Sequence, residues 1–293
     1  MTLEQLRIFV AVAERQHVTR AAQALNLTQS AVSSAVTALE ARHGVALFDR
    51  VGRSIVLNPA GALFLQEARA VLARAAAAEA ALADLGDLSR GRLTIQASQT
   101  IASYWLPARL AAFHKAYPGV ALDIAIGNTA AAARAVAEGA AELGLVEGEV
   151  DDPLLERAVL DHDPLCLVVG RDHPWAGAAT EPEDLAATEW VVREPGSGTR
   201  TALEHALAAR GRTLAGLPVA MVLPGNEAVR SAVRAGAGAT LISRSVVTVG
   251  LELGALVEVP FAVEPRAFWR IRHRQRYRSR VGDAFLEVAA RTS

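Results

Sequence analysis

Near the amino terminus, small hydrogen-bonding side chains recur at helical spacing. Gln29, Ser30, Ser33, Ser34 and Thr37 lie largely opposite a stripe of Ala31, Val32, Ala35, Val36 and Leu39. Short amides and hydroxyls on a helix with one buried face suit the base edges of a DNA major groove. Arg50 and Arg53, just past Leu47 and Phe48, are placed to hold flanking phosphates. Thr19, Arg20 and Thr28, at the starts of the preceding helix and of this one, join the same candidate interface. A second chemistry is repeated farther along. Ser98-Gln99-Thr100, the run EPGSGTR from Glu194 to Arg200, and Pro224-Gly225-Asn226 each lead into a helix. Free N–H groups and hydroxyls at such starts favour an anion.

Each feature has a plainer reading. An alanine-rich helical hairpin inside a larger core fits the first periodicity equally well. Ser, Thr and Asn also occur as ordinary helix caps. Catalytic patterns fare worse. Ser197 lies in PGSGT, which is not the Gly-x-Ser-x-Gly elbow, and the single lysine, Lys115, sits outside any phosphate-loop pattern. The histidines show no metal-ligand spacing, so neither a catalytic nor a metal site is expected and no cofactor is implied. Cys166, the single cysteine, lies in an apolar strand and reads as buried and inert.

The elements that would position these groups follow from the pattern. Thr2 to Arg15 reads as a first helix. Thr19 reads as the cap of a second, broken at Asn26-Leu27, and Thr28 as the cap of a third. Ser54 to Leu57 reads as a wing strand, and Asn58-Pro59 starts a helix running from Ala60 to about Leu85. Such a helix is roughly 39 Å long, more than one small domain needs. Beyond Ser89-Arg90-Gly91, strands at 92–97, 120–126 and 142–146 alternate with helices at 104–117 and 129–138. A second cycle has strands at 165–169, 190–192, 218–223 and 240–243, with helices at 199–210 and 227–235. This alternation predicts two mainly parallel α/β units. From Ala267 to Arg280 the alternation predicts a strand with Arg270, Arg272, Arg274, Arg276, Arg278 and Arg280 on one face. That face would answer the acidic Glu142, Glu147, Glu149, Asp151 and Asp152, and a closing helix follows from Gly282.

With 293 residues, 52% of them hydrophobic, the chain has room for two or three domains and is not disordered. No run approaches ~18–20 consecutive apolar residues, and MTLEQLRIF is not a secretion signal. A cytoplasmic protein without a membrane span is the expectation. The net charge of −1 gives no global pull toward nucleic acid, so a DNA-binding head would need to act in multiple copies.

The wording of the first segment goes further than its periodicity. It closely resembles the amino-terminal winged helix-turn-helix of LysR-type transcriptional regulators. The landmarks are Phe9, Ala21, Ala22, Leu25, Gln29, Ala31, Val32, Ser33, Leu39, Glu40, Gly44, Leu47, Phe48, Arg50 and Gly61. Ser30 and Ser34 depart from it, standing where the family usually has Pro and a basic residue. Residues 92–293 resemble the effector-binding domain of the same family through QASQTIASYWLPARL, GLVEG, REPGSGTR and NEAVRSAVRAGAGATLISRSVV. The resemblance implies an α+β multidomain protein: a winged helix-turn-helix over 1–58, a linker dimerisation helix over 59–88, and a two-lobed α/β effector domain over 89–293, similar to periplasmic binding proteins. Lobe I would take 92–161 and 266–293, and lobe II 162–265. Ser98, Gln99, Thr100, Gly196, Ser197, Thr199 and Asn226 would border the effector cleft, with Glu147 at its rim. The implied partners are double-stranded DNA, a small anionic effector and further copies of the chain, as a homodimer or homotetramer. The wording is nearest to branches that sense anions of sulfur or carbon metabolism. The alternative is a cytoplasmic two-lobed solute-binding protein with an unrelated helical start.

Overall fold

The structure, a computed structural model, describes residues 1–51, 54–84, 91–179 and 181–292. The chain divides into two compact units.

The first unit opens with α1 (Leu3–Arg15), whose start is a reciprocal capping box between Thr2 and Gln5. Gln16, in the left-handed region at φ 47°, ends it and turns the chain directly into α2 (Val18–Leu25). The cap of α2 is His17, whose Nδ1 accepts from the Arg20 N–H, and Thr19 falls in the first turn instead of capping it. Asn26 adopts the left-handed conformation that closes α2, which makes the break compact. Thr28 caps α3 (Gln29–His43) as its position predicted, and Gly44 at φ 65° ends it. The strands β1 (Phe48–Val51) and β2 (Ser54–Leu57) pair antiparallel as a wing. The 26-residue helix α4 (Pro59–Asp84) follows, with Asn58 Oδ1 accepting from the Gly61 N–H. A side chain on Gly61 would meet the Leu47 carbonyl oxygen at 2.1 Å, so only glycine lets α4 start against the wing. Phe9 packs between Phe48 and Phe64, ring centroids 5.5 and 4.9 Å away, and unites the helices into one core with Leu6, Val12, Val32, Val36 and Leu39. Leu63 and Leu82 of α4 stay 69% exposed.

The second unit holds two five-stranded sheets. The elements of its first half are β3 (Gly91–Ser98), α5 (Leu106–Ala116), β4 (Val120–Gly127), α6 (Thr129–Glu138), β5 (Leu143–Val146) and β6 (Leu155–Asp163). Its second half runs β7 (Leu165–Gly170), β8 (Trp190–Arg193), α7 (Gly198–Ala208), β9 (Val219–Leu223), α8 (Asn226–Arg234), β10 (Ala239–Ser243), α9 (Arg244–Glu252) and β11 (Leu256–Val259). The chain then returns as β12 (Arg266–His273) and α10 (Arg280–Arg291). One sheet is ordered β4-β3-β5-β12-β6 and the other β11-β7-β10-β8-β9.

The mainly parallel expectation is corrected: both sheets are mixed. β12 is antiparallel to both β5 and β6, and β7 is antiparallel to β10 and β11. The reason is the double crossing between sheets, since a strand returning from the other lobe enters reversed. The arginine-rich strand is also corrected. It ends at His273, and a bulge between Phe268 and Trp269 breaks the alternation, so Phe268, Ile271 and Arg272 are all buried. Arg270 and Arg278 bond Glu156, Arg276 donates to the Val136 and Ala137 carbonyls, and Arg272 pairs with Asp283, leaving no single arginine face. The strands β6 and β11 and the helix α9 were not foreseen. A turn of π-helix, Ile101–Trp105, precedes α5, so the helical run begins three residues before the 104 its apolar pattern indicated.

Candidate functional site

Two places gather the polar groups singled out by the sequence, one in each unit. In the first, a groove of about 370 Å³ is bounded by the start of α2, one face of α3 and the wing. Thr19, Gln29, Ser33, Thr37 and Arg50 line it, together with Gln16, His17 and Glu40, which the pattern did not single out. Glu40 is bound in place, its Oε1 accepting the Leu47 and Phe48 N–H groups at 2.7 and 3.3 Å. Arg20, Thr28, Ser30 and Ser34 are exposed beside the groove. Ser30 sits 3.1 Å from the Thr28 hydroxyl, inside the cap. Arg53 lies outside the described residues.

In the second unit the candidate groups converge between the sheets. Ser98 ends β3 and Thr100 precedes the π-helical turn, and both hydroxyls donate to the Glu147 carboxylate, Thr100 at 2.9 Å. Glu147 is therefore not at the rim. It is 5% exposed at the end of β5, because the backbone behind it must pass close to α7. A Cβ on Gly198 would approach the Glu147 carbonyl carbon at 2.9 Å, and one on Gly148 would come within 3.1 Å of Gly198 Cα. Two glycines thus let the two lobes touch. Asn226, which opens α8, donates from Nδ2 to the Thr100 hydroxyl at 2.9 Å, and its N–H donates to Gln99 Oε1 at 3.0 Å. Gln99 reaches back to the Pro224 carbonyl at 3.0 Å. Ser197 caps α7, and Thr199 in its first turn accepts from Arg266 at 3.1 Å. Gly196, at φ 84°, is exposed beside α6, and its carbonyl accepts the Ala130 N–H at 3.2 Å. At the cleft's edge Tyr104 donates to Glu227 at 2.5 Å, and burial first, then this carboxylate, push its hydroxyl up to about 12.

The centre of the cleft is built by residues left out of the candidate site drawn from the sequence. Arg193, at the end of β8, is 2% exposed. It grips Glu194 with a two-pronged contact at 2.8 and 2.9 Å and also donates to Asn226. Arg266, at the start of β12, faces Asp163 at the end of β6 in the sheet register and bonds it at 2.8 Å through Nε. Asp163 and Arg266 border the two segments that cross between sheets, so this buried ion pair sits where the lobes join. Ser243 adds a 2.6 Å bond to Asp163. Thr129, 5% exposed at the start of α6, has a buried hydroxyl without a hydrogen-bond partner. The available signal was the position of each charged residue at a strand end. Strand ends are where ligands meet α/β sheets, yet a lone arginine among thirty basic residues does not stand out.

The electrostatics follow from that count. Three carboxylates, Glu147, Asp163 and Glu194, face two guanidiniums, Arg193 and Arg266. Burial raises Glu194, but the bonds from Arg193 and Asn128 outweigh it and hold the carboxyl below its ordinary value. Burial raises Glu147 above its ordinary value, and Arg266, 3.8 Å away, only partly offsets it. Glu147 is the surplus acid. Cys166 is buried within β7, as its apolar setting predicted, and burial pushes its thiol up to about 12.

Comparison with known proteins agrees with this architecture. Residues 3–62 match the family model described as bacterial regulatory helix-turn-helix protein, lysR family, and residues 86–293 match the LysR substrate binding domain. The HTH-type transcriptional regulator YeiE of Escherichia coli is 36% identical over 295 residues, spanning 98% of this chain and 96% of the relative. CbbR of Rhodospirillum rubrum is 33% identical, spanning 99% of this chain and 97% of the relative. Among solved structures, full-length CbnR complexed with its target DNA aligns at a TM-score of 0.70 and 23% identity, covering 100% of both chains. The regulatory domain of CcmR from Synechocystis, in complex with 2-PG, aligns at a TM-score of 0.63 and 23% identity, over 70% of this chain and 98% of that one. At that identity the two structures speak for the fold alone. The chain belongs to the LysR family of bacterial transcriptional regulators. It is a DNA-binding regulator with an effector-binding domain. No helix among the described residues is long and apolar enough to cross a membrane.

Proposed function

We propose that the head, residues 1–58, binds double-stranded DNA, with Gln29, Ser30, Ser33, Ser34 and Thr37 presented to base edges. Thr19, Arg20, Thr28, Arg50 and Arg53 take phosphates or support the docking. Residues 59–88 link and dimerise, consistent with the apolar side chains that α4 leaves open. Residues 89–293 bind a small anionic effector between the lobes, at Ser98, Gln99, Thr100, Glu147, Gly196, Ser197, Thr199 and Asn226. Arg193, Arg266 and Thr129 are added to that set. The protein acts in the cytoplasm as a homodimer or homotetramer and catalyses no reaction. The solute-binding alternative is not favoured, because the helix-turn-helix match covers residues 3–62.

The observation that carries the effector reading is the cluster of hydroxyl and amide donors around two buried guanidiniums, occupied by the protein's own Glu147 carboxylate. Glu147 holds the place an anion would take. An anion entering beside it requires that Glu147 carry a proton, since two negative charges at that distance in a buried site are mutually destabilising. The effector therefore binds together with one proton, and its affinity rises as pH falls. That CbnR is solved on DNA and CcmR with 2-PG supports the two halves of the reading by analogy of fold. The ligand shifts DNA binding only by its different affinity for the two arrangements of the regulator.

A footprint of the purified protein on DNA flanking its own gene, at several salt concentrations, tests the reading. A protected inverted repeat that weakens steeply with salt is expected. A screen of small anions by thermal shift at pH 6 and pH 8 then tests the cleft. Absence of protection at low salt sinks the DNA half, and anion affinity indifferent to pH sinks the assignment of Glu147.

A further inference from the structure

We propose that His17 is a DNA-contacting residue, donating from Nε2 to a backbone phosphate while its Nδ1 caps α2. The inference rests on the head being the DNA-binding unit, and it concerns a residue that neither motif nor periodicity marked.

The geometry makes the assignment. Nδ1 accepts the Arg20 N–H at 3.4 Å, and the His17 carbonyl accepts the Ala21 N–H at 3.0 Å, so the side chain is held at the helix start from its own backbone. With Nδ1 accepting, the ring hydrogen sits on Nε2, on the far side of the imidazole. The far side is open: His17 is exposed and lines the groove whose other walls are Gln29 and Ser33 of α3 and Arg50 of β1. The left-handed Gln16, at φ 47°, is what brings this corner of the chain to the groove. In a helix-turn-helix the first helix crosses the DNA backbone while the second enters the groove. A donor at the start of α2, on the wall facing α3, is therefore set against a phosphate and not a base.

The nearby carboxylates do not compete for it. Glu40, on the groove wall, is bound to the wing's N–H groups, and Glu14, on the last turn of α1, is paired with Arg69 at 2.9 Å. The cations near it, Arg20 and Arg50, act in the same sense on a polyanion.

His17→Ser and His17→Asp separate the roles, because both replacements cap helices well and neither carries the ring donor. The full-length variants are titrated by fluorescence anisotropy against a duplex carrying the footprinted site and against a scrambled duplex of equal length. H17S should weaken both duplexes by a similar factor, roughly 10- to 150-fold, as expected for a lost hydrogen bond to a charged acceptor. The thermal midpoint should stay unchanged, since both replacements preserve the cap of α2. H17D should weaken both duplexes further by repulsion. Binding of both variants within about twofold of wild type overturns the proposal, as does loss on the specific duplex alone, which would mean base reading. Failure of the wild-type protein on both duplexes would instead overturn the DNA reading of the head, and Gln29→Ala marks the difference by weakening the specific duplex alone.

Discussion

The polar groups of the head and those of the effector cleft are disposed in opposite ways. On α3, Gln29, Ser30, Ser34 and Thr37 are exposed, and the intraprotein bonds among them are local cap contacts such as Ser30 with Thr28. In the cleft, Ser98, Thr100, Thr199, Asn226, Glu147, Asp163 and Arg193 are buried, the Arg266 side chain is 8% exposed, and these groups are bonded to one another across strand ends. The head surface keeps its hydrogen bonds in water until DNA replaces the water. The cleft network is satisfied except at the Thr129 hydroxyl, so on the proposed reading a ligand must exchange bonds that already exist. Affinity at the head is therefore governed by what the partner supplies. Under the proposed effector assignment, affinity at the cleft is a difference between two sets of buried bonds, and the protonation of Glu147 enters it.

The sharpest way to break this contrast is Arg266→Met. Removing the guanidinium leaves Asp163 and Glu147 buried and uncompensated, a loss of ~3–5 kcal/mol. Urea melts should show the effector domain destabilised by that order, and an unchanged midpoint would mean that the cleft is hydrated and open. The matching change on the head, Gln29→Ala, should leave the melt untouched because the side chain is exposed. It should weaken specific DNA binding by ~1–3 kcal/mol. A stability loss from Q29A would erase the distinction between the two surfaces.

Glu147→Gln sharpens the protonation argument. Burial holds Glu147 above its ordinary 4.5, so the native state binds its proton more tightly than the unfolded chain does. Its contribution is full at low pH and is lost as pH rises from 4.5 through the raised native value. Glu142, also raised chiefly by burial, adds a slope of the same sign that E147Q retains. The variant should therefore lose only part of the decline in stability with pH. It should also bind small anions with an affinity nearly independent of pH. Retention of the full wild-type slope would remove Glu147 as the coupled proton site. The smallest expected effect is Thr129→Val. It removes a buried hydroxyl that has no partner, so stability should be unchanged or rise by up to ~1 kcal/mol. Loss of anion affinity in T129V without loss of stability would place that hydroxyl in contact with the effector.

Local patterns carried much of this protein in its sequence. The stripe of Val32, Val36 and Leu39, the cap at Thr28 and the Asn58-Pro59 start of α4 were readable because each depends on residues within a few positions of one another. The polar starts of α7 and α8 and the end of β3 were equally visible, since strand-to-helix junctions have a compositional mark. The capping of α2 by His17 escaped notice because histidine is an uncommon cap and Thr19 offered a commoner one. Tertiary structure alone decided the rest. The pairing of Arg266 with Asp163 joins positions far apart in the chain, through a strand that returns from the other lobe in the reverse direction. The burial of Glu147 depends on Gly148 and Gly198 meeting across the two sheets. Periodicity reports which face of an element is apolar. It does not report which charged strand ends a double crossing of the chain will bring together, and at this cleft that convergence sets the charge.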